Sequence, residues 1–88
     1  MSKIQWTDGT KNSPWRCPTS YGMIGGLSVA AVINRRGDGW SVIIYLAPLP
    51  DRLDRMMDSY KASERQAKAT AQRVVNAYLK ILNGQDLA

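Results

Sequence analysis

The sequence contains no histidine and only one cysteine, Cys17. Histidine is the commonest general base near neutral pH, and a lone cysteine can form neither an internal disulfide nor a zinc site. Asp51, Asp54 and Asp58 would share one side of a helix, but arginines lie among them and no calcium-loop pattern is present, so we interpret them as a solvated charged surface. These absences predict a chain that is not an enzyme, needs no cofactor and binds no metal.

Long apolar runs and phenylalanine are also missing. No run approaches the roughly 20 residues that a membrane-spanning helix requires, and the first ten residues lack the apolar core of a signal peptide. A length of 88 residues predicts one small domain over 1–88. Since a lone cysteine suits a reducing compartment, we expect the protein in the cytoplasm.

The centre of the chain predicts a β-hairpin over about 27–46. Two β-branched runs, LSVAAVI and WSVIIYL, flank a polar turn that contains Gly37 and Gly39. Alternation along the runs predicts a sheet with one apolar face and one mixed face, so that one covering layer is enough. We assign four residues to the mixed face: Ala30, Val32, Ile43 and Tyr45.

The clearest helix signal covers about 63–83. Ser63 and Gln66 have the spacing of a capping box, and apolar residues then recur every three or four positions up to Leu82. Asn83-Gly84 is a typical stop signal, which leaves 84–88 as a frayed tail. A weaker pattern predicts a short helix over about 51–58. The predicted fold is therefore α+β, a small antiparallel sheet covered on one face by the C-terminal helix.

Residues 1–20 are predicted to be an irregular lead-in. Ile4 and Trp6 alternate with polar neighbours, which indicates a short strand near 3–7 that would join the hairpin as a third strand. The glycine-rich segment 21–26 lacks the pattern of a phosphate-binding loop, and we interpret it as a flexible strand entry or bulge. The sheet is thus expected to have two or three strands.

The opening SKIQWTDGTKN resembles the start of the phage Gp37/Gp68 family, whose members begin with a Lys-Ile-Glu-Trp-Thr-Asp type of segment. This resemblance covers residues 2–12 and implies a phage or mobile-element origin. If a phage encodes the protein, the expected compartment is the cytoplasm of its host cell. Members of that family are thought to use clustered cysteines. This chain has Cys17 alone, so the resemblance implies no activity here.

The net charge of +5 is concentrated in two blocks, 1–37 and 59–83, each with a net charge of +4. Such blocks favour an acidic macromolecular partner. The first hypothesis is a binding protein similar to phage-encoded inhibitors such as anti-CRISPR proteins, which block nucleic-acid-handling complexes by surface contact. Its partner would be a protein or nucleoprotein complex.

Two other hypotheses remain open. A sheet followed by a packed helix resembles AP2-like integrase arms and double-stranded-RNA-binding domains, which implies direct contact with DNA or RNA. Alternatively, the mixed face of the sheet forms a homodimer interface. Basic and aromatic side chains are the expected anchors in any of these surfaces. The candidate binding residues are Trp15, Arg16, Arg35, Arg36, Tyr45, Lys68 and Arg73.

Overall fold

A computed structural model describes residues 3–12, 17–35 and 37–84. Its strands are β1 (Gln5–Asp8), β2 (Thr19–Ile24), β3 (Leu27–Asn34) and β4 (Trp40–Ile44), and its α-helices are α1 (Asp51–Arg55) and α2 (Glu64–Leu82). The strands form one antiparallel sheet in the order β1-β2-β3-β4. The α+β fold is confirmed, although the sheet has four strands where two or three were expected.

Strand β2 comes from the segment that the sequence analysis interpreted as a strand entry or bulge. Gly25 and Gly26 have positive φ angles of 57° and 89°, which suits the two-residue turn that joins β2 to β3. Strand β1 pairs with β2 and makes no pairing with the β3–β4 hairpin. The expected third strand therefore exists at the predicted place but with a different partner.

A β-bulge interrupts the pairing of β2 with β3. Gly22 lies opposite Ala30 and Met23 lies opposite Ser28, so that Val29 is an extra residue on β3. Val29 and Ala30 follow each other along the chain, yet both belong to the core beneath α2. The strict alternation expected for β3 is broken here, because a bulge turns two consecutive side chains towards one face.

Helix α2 lies against one face of the sheet and forms the main core with it. Ala67 and Ala71 are fully buried, and their small side chains let the helix approach β3 and β4 closely. Val32 and Val42 face each other across these strands beneath the helix, together with Val75. The sheet and helix thus pack around a layer of valine and alanine side chains.

The predicted mixed face is wrong. Ala30 lies opposite Ile44, and Val32 lies opposite Val42, so these residues share the face that α2 covers. Ile43 lies opposite Ala31 and belongs to the other face. The register of β3 against β4 places the four residues on both sides of the sheet, and they cannot form one dimer interface.

Strand β3 is buried on both sides. Ala31 and Ile33 lie on the face away from α2, and each has an exposed fraction of 0%. On that face, Ala31 lies between its pairing partners Tyr21 and Ile43. Ile33 lies between Thr19 and Ser41. We expected one covering layer to be enough for the sheet. For β3 this expectation is wrong, because its side chains are buried on both faces.

The helix boundaries agree closely with their sequence signals. Ser63 is the N-cap of α2, and its hydroxyl accepts the N–H of Gln66 at 3.2 Å. The Gln66 amide oxygen in turn accepts the N–H of Ala62, one residue before the position used in a full capping box. Helix α1 ends at Arg55, earlier than the predicted 58, and a turn follows it.

The two edges of the sheet are held by later parts of the chain. At the β4 edge, Trp40 and Lys61 exchange backbone hydrogen bonds of 2.8 Å. At the β1 edge, the N–H of Ile4 donates to the Gln72 amide oxygen at 2.8 Å. Within the ranges described above, no helix is long and apolar enough to span a bilayer.

Candidate binding surface

Those predicted binding residues that the structure describes do not form one site. Trp15, Arg16 and Arg36 lie outside the described residues. Arg35 lies just after β3 and Tyr45 just after β4, whereas Lys68 and Arg73 lie on α2. The hairpin residues and the helix residues are therefore two separate groups.

Arg35 and Tyr45 belong to the sheet face that points away from α2. The Arg35 Nε donates to the Ser41 hydroxyl at 3.1 Å, which fixes the guanidinium beside the start of β4. Tyr45 is 44% exposed, just beyond the end of β4. Burial of its ring raises the pKa of the Tyr45 hydroxyl, and the nearby Tyr21 hydroxyl adds to this effect. Tyr45 therefore stays neutral at physiological pH and offers a hydrogen bond rather than a charge.

Lys68 is engaged within the protein. Its ammonium lies 3.1 Å from a Glu64 carboxylate oxygen, one helical turn earlier, and 5.5 Å from the centre of the Trp6 ring. These two contacts neutralise and position the ammonium. Lys68 therefore contributes less to an external binding surface than its charge alone implies.

Arg73 lies on the outward side of α2, together with Arg65 and Lys80, and all three are exposed. One turn of α-helix contains 3.6 residues, so these three side chains fall within about 80° of the helix circumference. We call Arg65, Arg73 and Lys80 the basic face of α2. Glu64 is the one acidic residue in this helix, and it pairs with Lys68.

The polar side chains beside the basic face form hydrogen bonds within the protein. The Gln72 amide nitrogen donates to the Asn76 oxygen at 2.9 Å, while the Gln72 oxygen accepts from Ile4. The Arg73 guanidinium donates to the Thr70 hydroxyl at 3.3 Å, and Arg73 as a whole is exposed. Hydrogen bonds within the protein thus hold this part of α2 in place and leave the cationic groups at its surface.

The candidate binding residues from the sequence did not include Arg65 and Lys80. A signal for them was present, because Arg65, Arg73 and Lys80 are separated by eight and seven residues. These intervals are close to two helical turns and bring side chains to the same side of a helix. The apolar residues of α2 form the buried side of the helix, and the basic residues lie on the opposite side.

A second feature is a cavity of about 340 Å³ between the β1 edge and the first turns of α2. Its lining includes Trp6, Asp8, Ser20, Glu64 and Lys68. This lining offers hydroxyl groups, two carboxylates and one ammonium. It can hydrogen-bond a small polar molecule, and Glu64 and Lys68 already neutralise each other within it.

Asp8 has a distinctive local geometry at this cavity. Its carboxylate accepts the Thr10 hydroxyl at 2.6 Å and the Thr10 N–H at 3.0 Å. These hydrogen bonds lower the pKa of Asp8, with the hydroxyl contributing most, and they outweigh the opposing desolvation. A carboxylate held in this way is a stable anion and a poor general base near neutral pH.

Metal-binding geometry is absent from the part of the chain that the structure describes. In residues 3–12, 17–35 and 37–84, no group of three histidine, cysteine or acidic side chains is arranged to hold a metal ion. The aspartates near α1 are therefore no metal cluster within those ranges.

Comparison with known proteins found no matching family model, no matching curated protein and no matching solved structure. The resemblance of residues 2–12 to the opening of the phage Gp37/Gp68 family stays a prediction.

Proposed function

We propose that this chain is a non-catalytic binding protein that contacts an acidic macromolecular partner through the basic face of α2. The observation that carries the proposal is the exposure of Arg65, Arg73 and Lys80 on one side of a helix whose acidic residue is already paired. Exposed cations attract an oppositely charged surface and accelerate its encounter. The first-choice partner is a protein or nucleoprotein complex that handles nucleic acid, as the resemblance to anti-CRISPR proteins implies.

The distribution of charge supports the use of this face. Residues 51–58, which include α1, carry three aspartates and two arginines, so their net charge is −1. The segment 59–83, which includes α2, has a net charge of +4. An acidic partner would therefore orient towards α2 rather than towards α1.

The proposal is tested by affinity capture from a bacterial extract with two matched triple variants. R65Q/R73Q/K80Q removes the basic face, and K11Q/R52Q/R55Q removes three exposed basic residues elsewhere. Each variant lowers the net charge from +5 to +2. Glutamine keeps the side chain long and polar, and its helix propensity is close to that of lysine and arginine.

We expect the wild-type protein and K11Q/R52Q/R55Q to retain the same acidic protein or nucleoprotein, and R65Q/R73Q/K80Q to lose it. Repeating the capture after nuclease treatment separates a protein partner from one that is held through nucleic acid. Equal capture by both variants would show that the face plays no part. Loss from both variants would show that only overall charge matters.

A further inference from the structure

We infer that the basic face of α2 binds the phosphate backbone of duplex DNA, with the helix crossing the major groove. This inference rests on the proposed function and takes the DNA of a nucleoprotein complex as the part that the basic face contacts. It uses the spacing of the three cations, the chemistry of the residues between them, and the absence of a base-stacking surface on this helix.

The spacing of the cations matches the width of the groove. With a rise of 1.5 Å per residue, Arg65 and Arg73 are about 12 Å apart along the helix axis, and Arg73 and Lys80 about 11 Å. The major groove of B-form DNA is about 12 Å wide and admits an α-helix. Arg65 and Arg73 can therefore meet phosphates on the two opposite sides of the groove, and the long side chain of Lys80 reaches a phosphate beyond the second side.

The chemistry of α2 favours a duplex over a single strand. Single-stranded nucleic acids are held by aromatic side chains on which the bases stack, in addition to a positive groove. Tyr78 is the only aromatic residue in α2, and it is buried in the core. The basic face thus offers charge without stacking, which suits a backbone whose bases are already paired.

The groove geometry favours DNA over double-stranded RNA. The major groove of A-form RNA is deep and narrow, so a helix cannot enter it. Ala69, which is exposed and small, lies between Arg65 and Arg73 and permits a close approach of the helix to the groove.

The contacts are expected to be independent of base sequence. Gln72 and Asn76 carry amides of the kind that read adenine, but they are hydrogen-bonded to each other, and Gln72 also holds Ile4. The remaining groups of the face are cations that contact phosphates, and phosphate contacts carry no direct sequence information.

The test is fluorescence anisotropy with labelled probes of equal length, measured over a series of salt concentrations. The probes are two 20-base-pair DNA duplexes of unrelated sequence, a DNA single strand, an RNA duplex and poly-glutamate. Three phosphate contacts predict a slope of log affinity against log salt of about −2.7, with a Kd of roughly 10⁻⁴ to 10⁻⁶ M at physiological salt. Both DNA duplexes should bind equally, and more tightly than the other probes.

The variants sharpen the test. R73Q should reduce the slope to about −1.8, because one phosphate contact is lost. R65Q/R73Q/K80Q should abolish binding, and K11Q/R52Q/R55Q should keep the wild-type slope. Circular dichroism of each variant verifies that the fold is unchanged.

The outcomes separate this inference from the proposed function. Binding of poly-glutamate through the basic face, without DNA binding, would overturn the inference and leave the proposed function standing. Equal or tighter binding of the single strand or the RNA duplex would also overturn the inference alone. Failure of every probe, together with failure of affinity capture, would overturn both.

Discussion

Asp8 is a residue whose proton affinity is set by its immediate neighbour. Thr10 lies two positions later and satisfies the carboxylate with both its hydroxyl and its backbone N–H. The dipeptide Asp8-Gly9 is a turn signal in the sequence. The structure shows the physical basis of that turn, since the aspartate side chain bonds the backbone two residues further on.

Replacing Thr10 with valine should raise the pKa of Asp8 towards its ordinary value. The hydroxyl hydrogen bond is the largest cause of the lowered pKa, and valine keeps the shape of threonine without that donor. A pH titration of the Asp8 carboxyl by NMR measures the change. Thr7→Val is the control, since Thr7 is an exposed residue directly before Asp8 on β1, and it should leave the Asp8 pKa where it is.

The same substitution has a consequence for acid stability. Because the folded-state pKa of Asp8 lies below its unfolded value of about 3.9, its contribution is complete above that pH and is lost as the pH falls through the folded value. The wild-type protein should therefore lose more stability than Thr10→Val as the pH falls below about 4. Urea unfolding at several pH values measures this difference, and parallel pH profiles would contradict it.

At the scale of elements, helix α2 and the β3–β4 hairpin were predictable from the sequence because each carries its own periodic pattern. Strand β2 was not, because its signal depends on its neighbours. A Cβ atom at Gly22 would lie 2.5 Å from the Ile4 side chain, so a glycine is needed for β1 to pack there. That requirement exists only once β1 and β2 are paired.

The candidate site was predictable to a similar extent. The helical spacing of the basic residues was visible in the sequence, and Arg73 was selected with its outward position. Arg35 and Tyr45 could not be separated from it by the sequence, because strand register decides which face each occupies. A shift of one residue in the register of β3 against β4 would place Arg35 and Tyr45 on opposite faces.

The packing of α2 predicts very different costs for two truncations in this helix. Val75 is 0% exposed in the core with the sheet, whereas Leu82 is 64% exposed. Val75→Ala should lower the free energy of unfolding by about 2 kcal/mol, after the better helix propensity of alanine is included. Leu82→Ala should change it by less than about 0.5 kcal/mol.

Chemical denaturation of the two variants under identical conditions provides the comparison. Similar losses for Val75→Ala and Leu82→Ala would mean that α2 does not pack on the sheet through the side described here. A loss confined to Leu82→Ala would reverse the assignment of the two sides. The first result would also remove the basis for an outward basic face.

At the scale of the whole molecule, one hydrogen bond joins the first strand to the last helix. Ile4 is 3% exposed, and its N–H donates to Gln72, 68 positions later. Each strand of the sheet pairs with the strand next to it in sequence, whereas this hydrogen bond joins two distant parts of the chain. It also fixes the β1 edge beside the middle of α2.

Gln72→Ala should therefore destabilise the protein by about 1–3 kcal/mol, the cost of leaving a buried N–H without its partner. Asn76→Ala is the matched control, because it removes the hydrogen bond between the two side chains but leaves the oxygen that Ile4 uses. We expect little change in the control. Thermal unfolding with hydrogen exchange at the Ile4 amide measures both effects, and a protected Ile4 amide in Gln72→Ala would contradict this role of Gln72.

The bulge at Val29 has a consequence for changes in chain length. The residues on either side of it, Ser28 and Ala30, face consecutive residues of β2, which are Met23 and Gly22. If Val29 were deleted, Ser28 and Ala30 would keep these partners, and the pairing of β2 with β3 would become regular. The protein would lose one buried side chain. A deletion elsewhere in the strand would shift every later pair, so this position is where natural or engineered variants of different length are most easily accommodated.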